Sequence, residues 1–276
     1  MKMPGWKRGI IFAILVVGSL FMVFPFLWLL STAFKPESDA FDGHLIPGHP
    51  TFANFASVLA PGSSAEVLRW LGNSLLSAIV ASLAVMVLDS LAAYGLARLQ
   101  FFGRKVILYL LIASLMVPFI AVLIPLYLEL ANFGLLDTYG ALILPYTANA
   151  FGVFLLYQFY TNIPKELEEA AIVDGAGKFQ IWRRIFLPLG IPATATLGMM
   201  TFMGVYNDFF WPLVATSSNS MRTMTVGVAL MAIGPYSTNY SLLMALTVFS
   251  MIPTFIAFIF AQRQLMQGVA TTGINL

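Results

Sequence analysis

Six runs of apolar residues, 10–32, 74–96, 106–128, 139–160, 186–214 and 242–261, dominate this chain of 276 residues. Each reaches or exceeds the roughly 20 residues a helix needs to cross a hydrocarbon core of about 30 Å. Inside such a core every backbone N–H and C=O must be paired, so only helices or a closed barrel cross it, and runs of this length select helices. The expected fold class is therefore all-α integral membrane, with six transmembrane helices. Only 9% of residues are charged, against about 25% in a soluble domain, which leaves little mass to fold outside the bilayer. The first run follows Lys2, Lys7 and Arg8 as a signal peptide would, but it is too long for an apolar signal core and no small-residue cleavage site follows it. It is read as a true span.

Lysine and arginine set the expected orientation, because cytoplasmic loops carry the excess of positive charge. With the N-terminus inside, the inner segments hold Lys2, Lys7, Arg8, Arg98, Arg104, Lys105, Lys165, Lys178, Arg183, Arg184 and Arg263, eleven of the fourteen basic residues. The outer segments hold Lys35, Arg69 and Arg222. Both termini are expected in the cytoplasm, as is the segment 164–188. Two outer loops are long, 34–70 and 216–240, and each serves either an extracytoplasmic partner or as a spacer. The chain has no cysteine, which excludes disulfides and thiolate chemistry. His44 and His49 share one polar loop with no carboxylate at helical spacing, so they are read as solvated residues and no metal site is expected. A net charge of +2 gives no reason to expect a nucleic-acid partner. No paired carboxylates, histidine cluster or Ser-His-Asp arrangement lies at a usable spacing, so no catalytic residue is expected.

The most polar stretch, 164–188, reads as a short helix, a turn and a second helix. Asn162 and Pro164 are start signals, and Glu166, Glu168 and Glu169 suit the positive end of the helix dipole. Leu167, Ala170, Ala171 and Asp174 fall at helical spacing on one face, where alanine lets another backbone come close. Gly175 and Gly177 are expected to break the helix by taking positive φ. Phe179 and Trp182 are expected to anchor in an apolar pocket. The sequence Gly175-Ala176-Gly177-Lys178 imitates a phosphate loop, but Ile172 stands where the first glycine belongs and Phe179 where Ser or Thr is needed. The chain is not expected to bind ATP.

Polar residues within the apolar runs are costly and either line a path or tie helices together. Both readings stand for Asp89, Asn149, Asn207 and Asp208. Pro118, Pro125, Pro145 and Pro253 are expected to kink their helices.

Glu169-Ala170-Ala171, Gly175, Ile185, Leu187 and Pro188 match the pattern E-A-A-x3-G-x9-I-x-L-P, and the segment resembles the EAA loop of ABC-importer permeases. Further stretches look like the carbohydrate branch of these permeases: Asn73-Ser74-Leu75, Ala92 through Arg98 with Phe102-Gly103-Arg104, Ile124 through Tyr127, Leu142 through Tyr146, and Asn207 through Leu213. The whole chain is similar to the smaller, six-span permease of maltose-type sugar importers. The resemblance implies a type I ABC-importer permease core over residues 69–262, preceded by an N-terminal transmembrane helix and outer loop, 1–68, and followed by a cytoplasmic tail, 263–276. The tail approaches the family's glycine-rich C-terminus at Gly268 through Gly273 and departs from it at Ile274-Asn275-Leu276.

By the same resemblance the segment 164–188 is a coupling helix docked on a cytoplasmic ATPase, with Glu169, Ala170, Ala171, Asp174, Gly175 and Phe179 at the contact. The loop from Gly227 to Tyr240 resembles the segment that meets a binding protein. The implied assembly lies in the plasma (inner) membrane of a prokaryote. It contains this chain, a second permease subunit, two copies of the ATPase and an extracytoplasmic solute-binding protein that delivers a sugar or oligosaccharide. ATP is used by the ATPase, and this chain binds no cofactor. Glycerol phosphate as cargo, or a self-sufficient secondary carrier, are the alternatives.

Overall fold

A computed structural model describes residues 5–60, 63, 65–234 and 237–272, without the side chains of 261 and 263–272. Lys2, Pro61, Pro235, Gly273 and Ile274-Asn275-Leu276 lie outside the described residues, as do the side chains of Arg263 and Gly268 through Thr272. No strand occurs among the described residues. In chain order the helices are α1 Gly5–Ala33, α2 Ala53–Leu59, α3 Val67–Arg98, α4 Arg104–Ser114, α5 Phe119–Asn132, α6 Tyr139–Ile143, α7 Ala150–Thr161, α8 Lys165–Val173, α9 Lys178–Ile181, α10 Leu187–Leu189, α11 Ile191–Asn207, α12 Phe210–Ala215, α13 Met224–Ile233 and α14 Tyr240–Thr272. A π-helical turn, Trp182–Phe186, joins α9 to α10.

Four segments are long and apolar enough to cross a membrane unaided: Trp6–Ala33, Val67–Arg98, Tyr139–Thr161 and Tyr240–Phe260. The other two sequence runs are each bent. Helices α4 and α5 meet at 103°, and Lys178–Leu189 meets Ile191–Asn207 at 77°, so there are six spans if each bent pair is one. The expected kink at Pro118 is a break instead. Pro118 sits in extended backbone (ψ 136°) as the residue before α5, because proline carries no N–H to continue α4 and disfavours helical geometry in the residue before it. Pro145 lies in a 3-10 turn, Leu144–Tyr146, between α6 and α7, whereas Pro125 and Pro253 stay inside α5 and α14.

The chain divides into two compact units, Met1–Leu68 with Gly227–Ile252, and Arg69–Val226 with Pro253–Leu276. In the first, the loop after α1 folds around Lys35, whose side chain is 1% exposed. Its ammonium bonds Asp42 at 2.6 Å and the His44 carbonyl, and lies over the Trp28 ring. The Asn54 amide donates to the carbonyls of Ala33 and Lys35. His44 and His49 are exposed.

In the second unit, α3 is the central helix. Its C-terminal half packs Tyr94 with Leu156 and Tyr160 of α7, Trp182 and Phe186 of the π-turn and Leu197 of α11. Its middle packs Ala78 and Ala81 against Val205 and Tyr206 at the end of α11. Small residues permit the closest approaches. A Cβ on Gly190 would stand 2.7 Å from the Tyr160 ring, and one on Gly198 2.5 Å from the Met86 sulfur.

Candidate functional site

Helix α8 projects from the second unit on the far side of Pro164 from α7. Pro164 is its N-cap, with Glu166 and Glu168 in the first turn. Its end is a complete Schellman motif. The amide of Gly175 donates to Ile172 O (3.0 Å) and that of Ala176 to Ala171 O (2.9 Å), while Gly175 takes φ 81°. Gly177 does not share this conformation. At φ −73° it is extended, and only Gly175 supplies the left-handed residue that both glycines were expected to offer. Glu169, Ala170, Asp174, Gly175 and Phe179 are exposed, and Ala171 is half-buried against the core.

The apolar pocket that Trp182 fills is this chain's own. Trp182 is buried, and its indole N–H donates to Ser90 Oγ at 3.0 Å. The π-turn rotates it inward, so its large ring fills this chain's core and cannot anchor in another protein. The most exposed apolar side chains of this segment are Val173, at 87% exposure, and Phe179, at 61%, with Ile172 and Leu167 also exposed. Val173 is the last residue of α8, a place where hydropathy alone does not separate a contact residue from a core residue.

Arg98, expected as an inner positive charge and as the end of the family-like stretch from Ala92, ties this loop to the spans. Its guanidinium donates to Tyr160 O at 2.6 Å and to Ile163 O, capping the end of α7. It lies 3.9 Å from Glu168 of α8 and stacks over the Phe186 ring. Ser90 Oγ and Tyr160 OH are 2.7 Å apart. Ser90, Tyr160 and Trp182 thus join α3, α7 and the π-turn in one buried polar chain. No local motif marks Ser90 or Tyr160, because their partners are 70 and 92 residues away.

The four intramembrane polar residues separate. Asn149 and Asp208 line one cleft of about 440 Å³, together with Phe119, Tyr146, Phe151 and Thr201. Asn149 also caps α7, its side-chain oxygen accepting from Phe151 N and Gly152 N. Asp208 accepts from Tyr146 OH at 2.5 Å and Phe210 N at 3.0 Å. Asp89 lies off the cleft, 2% exposed. One of its oxygens meets Asn149 N at 3.5 Å, the limit of a hydrogen bond, and the other has no partner. Asn207 is exposed and accepts from Thr254 OH.

At the N-terminal end of α3, in the second unit, a polar strap closes over this helix. Asp137, at φ 57°, accepts at 3.0 Å from Ser217 N, Ser218 N and Ser218 Oγ. Asn73 donates to the carbonyls of Ser220 and Arg222, and Trp70 to that of Asn219. Burial pushes the Asp137 carboxyl up, but the bonds from Ser218 and Ser217 outweigh it and hold its pKa below the usual carboxylate range. A lowered folded value means the strap gains stability from Asp137 above about pH 4, and loses it as pH falls through the lower folded value. Limited proteolysis of the 216–223 loop should accelerate over that acid window, and Asp137→Asn should flatten the dependence. Equal pH dependence in the two proteins would refute the assignment.

Comparison with known proteins adds a family. The model of the family "Binding-protein-dependent transport system inner membrane component" matches residues 90–271. The chain is 32% identical to the diacetylchitobiose uptake system permease protein NgcG of Streptomyces coelicolor, over 94% of this chain and 86% of that one. It is also 32% identical to the arabinooligosaccharides transport system permease protein AraQ of Halalkalibacterium halodurans, over 95% and 96%. Its fold is that of a chain of a bacterial ABC transporter that imports the acidic polysaccharide alginate, with TM-score 0.84 and 23% identity, over 95% of this chain and 99% of that one.

Proposed function

The chain belongs to the family of binding-protein-dependent transport system inner membrane components, and from that membership we propose that it is the smaller permease of an ATP-driven sugar or oligosaccharide importer. As a permease component it catalyses no reaction. It works with a second permease subunit, two copies of a cytoplasmic ATPase that uses the ATP, and a solute-binding protein outside. It sits in a prokaryotic inner membrane with both termini in the cytoplasm, the orientation that the basic residues favour. The saccharide cargo is supported by what its relatives, the NgcG and AraQ permeases, are named for.

The observation that carries the mechanism is the exposed, sharply terminated helix α8 bound to the spans through Arg98. A helix held at one end by a Schellman turn and at its side by a buried guanidinium moves as a rigid lever. Closure of the ATPase on nucleotide pulls α8, and Arg98 passes the displacement to the ends of α3 and α7. The two halves of the permease then rock, a rigid-body form of alternating access. Glu169, Ala170, Asp174, Gly175 and Phe179 form the docking face with Val173, and Ala171 seats the helix on its own chain.

Co-purification tests this. The wild-type chain should bring down an ATPase and a second permease. Gly175→Asp places a side chain in left-handed backbone at a cost of about 1–2 kcal/mol, and Glu169→Lys reverses a charge on the docking face. Each should lower ATPase recovery by roughly tenfold, the equivalent of about 1.4 kcal/mol. A wild-type chain that purifies alone and moves solute in liposomes would overturn the proposal.

A further inference from the structure

We propose that the cleft between α5, the 145–151 segment and α11 is a saccharide subsite contributed by this chain, and that it selects uncharged sugars over acidic ones. The inference rests on the importer reading above and adds the charge class of the cargo. The cleft's volume of about 440 Å³ falls in the range of small-molecule sites, about 300–1,000 Å³. Phe119 and Phe151 are 47% and 41% exposed, and with Tyr146 they give apolar aromatic walls against which the C–H faces of a sugar ring pack. Asn149 and Asp208 supply a polar edge for hydroxyl groups. Within the lining, the Thr201 hydroxyl is buried without a hydrogen-bond partner.

The charge balance of the cleft decides the selectivity. Among the described residues its lining holds one carboxylate, Asp208, and no lysine, arginine or histidine. Tyr146 OH and Phe210 N hold that carboxylate in place, so it is a fixed negative charge in apolar surroundings, where charge interactions are strengthened. A sugar hydroxyl donates to it, whereas a uronate, a sugar phosphate or glycerol phosphate meets like charge with no cation to compensate. This separates the chain from its structural neighbour, whose cargo is the acidic polysaccharide alginate.

The absence of cysteine from the chain permits a direct test. Met200 lines the cleft and is 45% exposed. Met200→Cys, in the assembled complex in native membranes, is labelled with a cationic and an anionic methanethiosulfonate reagent, and modification is read from the mass of this chain. Relative to their rates on free cysteine, the cationic reagent should react at least about fivefold faster than the anionic one. Adding Asp208→Asn, which keeps an acceptor for Tyr146 OH, should bring the ratio close to one.

An excess of at least one neutral sugar from a panel of maltotriose, arabinotriose and chitobiose should slow labelling about twofold or more. Trigalacturonate and glycerol 3-phosphate should not. A ratio near one in the parent, a ratio unmoved by Asp208→Asn, protection by the anions, or no protection by any neutral sugar each overturns the subsite. Failure of the importer reading itself would show separately, as absence of an ATPase from the purified complex.

Discussion

Replacing Arg98 with alanine is expected to disconnect helix α8, the proposed coupling helix, from the membrane spans and to abolish transport. The Arg98 side chain is 4% exposed. Its loss leaves the carbonyls of Tyr160 and Ile163 at the end of α7 without their donor and Glu168 of α8 without its cation. A hydrogen bond from a charged group is worth about 1.5–3 kcal/mol, and breaking a buried charged arrangement from one side costs about 3–5 kcal/mol. A loss of about 3 kcal/mol is expected, seen as a lower thermal midpoint of the purified complex. Its functional mark is specific: the ATPase still binds through the exposed face of α8, but hydrolysis no longer drives uptake. Arg98→Lys keeps the charge without the two-pronged donor geometry and should fall between. Glu168→Gln, at a position 18% exposed, should cost no more than about 1 kcal/mol. Wild-type uptake and stability in Arg98→Ala would remove Arg98 from the lever.

Adding a side chain at Gly152 is the second large effect. A Cβ there would overlap the Asp89 carboxylate oxygen and stand 2.9 Å from both methyl carbons of Leu197. Overpacking of this kind costs about 1–3 kcal/mol, so Gly152→Val should reduce the amount of folded protein and its thermal midpoint sharply. The cause can be isolated. Asp89→Ala removes the carboxylate that Gly152 faces, so Gly152→Ala should cost less in an Asp89→Ala background than alone. A coupling energy of about 0.5–3 kcal/mol is expected between them in a double-mutant cycle. Strict additivity would show that the contact between α3 and α7 at this level is loose.

The polar segment 164–188 was legible because its rules are local. A helix start at Pro164, acidic residues in the first turn and a glycine that ends the helix all act within a few residues of one another. The one glycine misjudged there, Gly177, shows the limit. Either of two neighbouring glycines can take positive φ, and only the hydrogen bonds from Gly175 N and Ala176 N select which one does. Trp182 shows another. Its neighbours Arg183 and Arg184 are exposed and mark it as an interfacial residue, but the π-turn turns its ring toward Ser90. The cleft was half legible. Asn149 and Asp208 stood out as polar residues in apolar runs, yet so did Asp89 and Asn207, and nothing in their flanks separates the two that share a cleft from the two that do not.

By itself, the sequence determined that the chain is helical and membrane-spanning and that one charged, sharply terminated helix stands between two spans. Those properties follow from the length of apolar runs and from rules that act over one or two turns of helix. Only the tertiary structure decided where the third and fifth runs bend, which side Trp182 faces, that Arg98 holds α7 and α8 together, and which polar residues meet in the cleft. The physical reason is that a membrane span is apolar on the side facing lipid and on the side facing its neighbours alike. Hydropathy therefore marks where a span runs but not which face is turned inward, and that is settled by close contacts such as Gly152 on Asp89 and Gly190 on Tyr160.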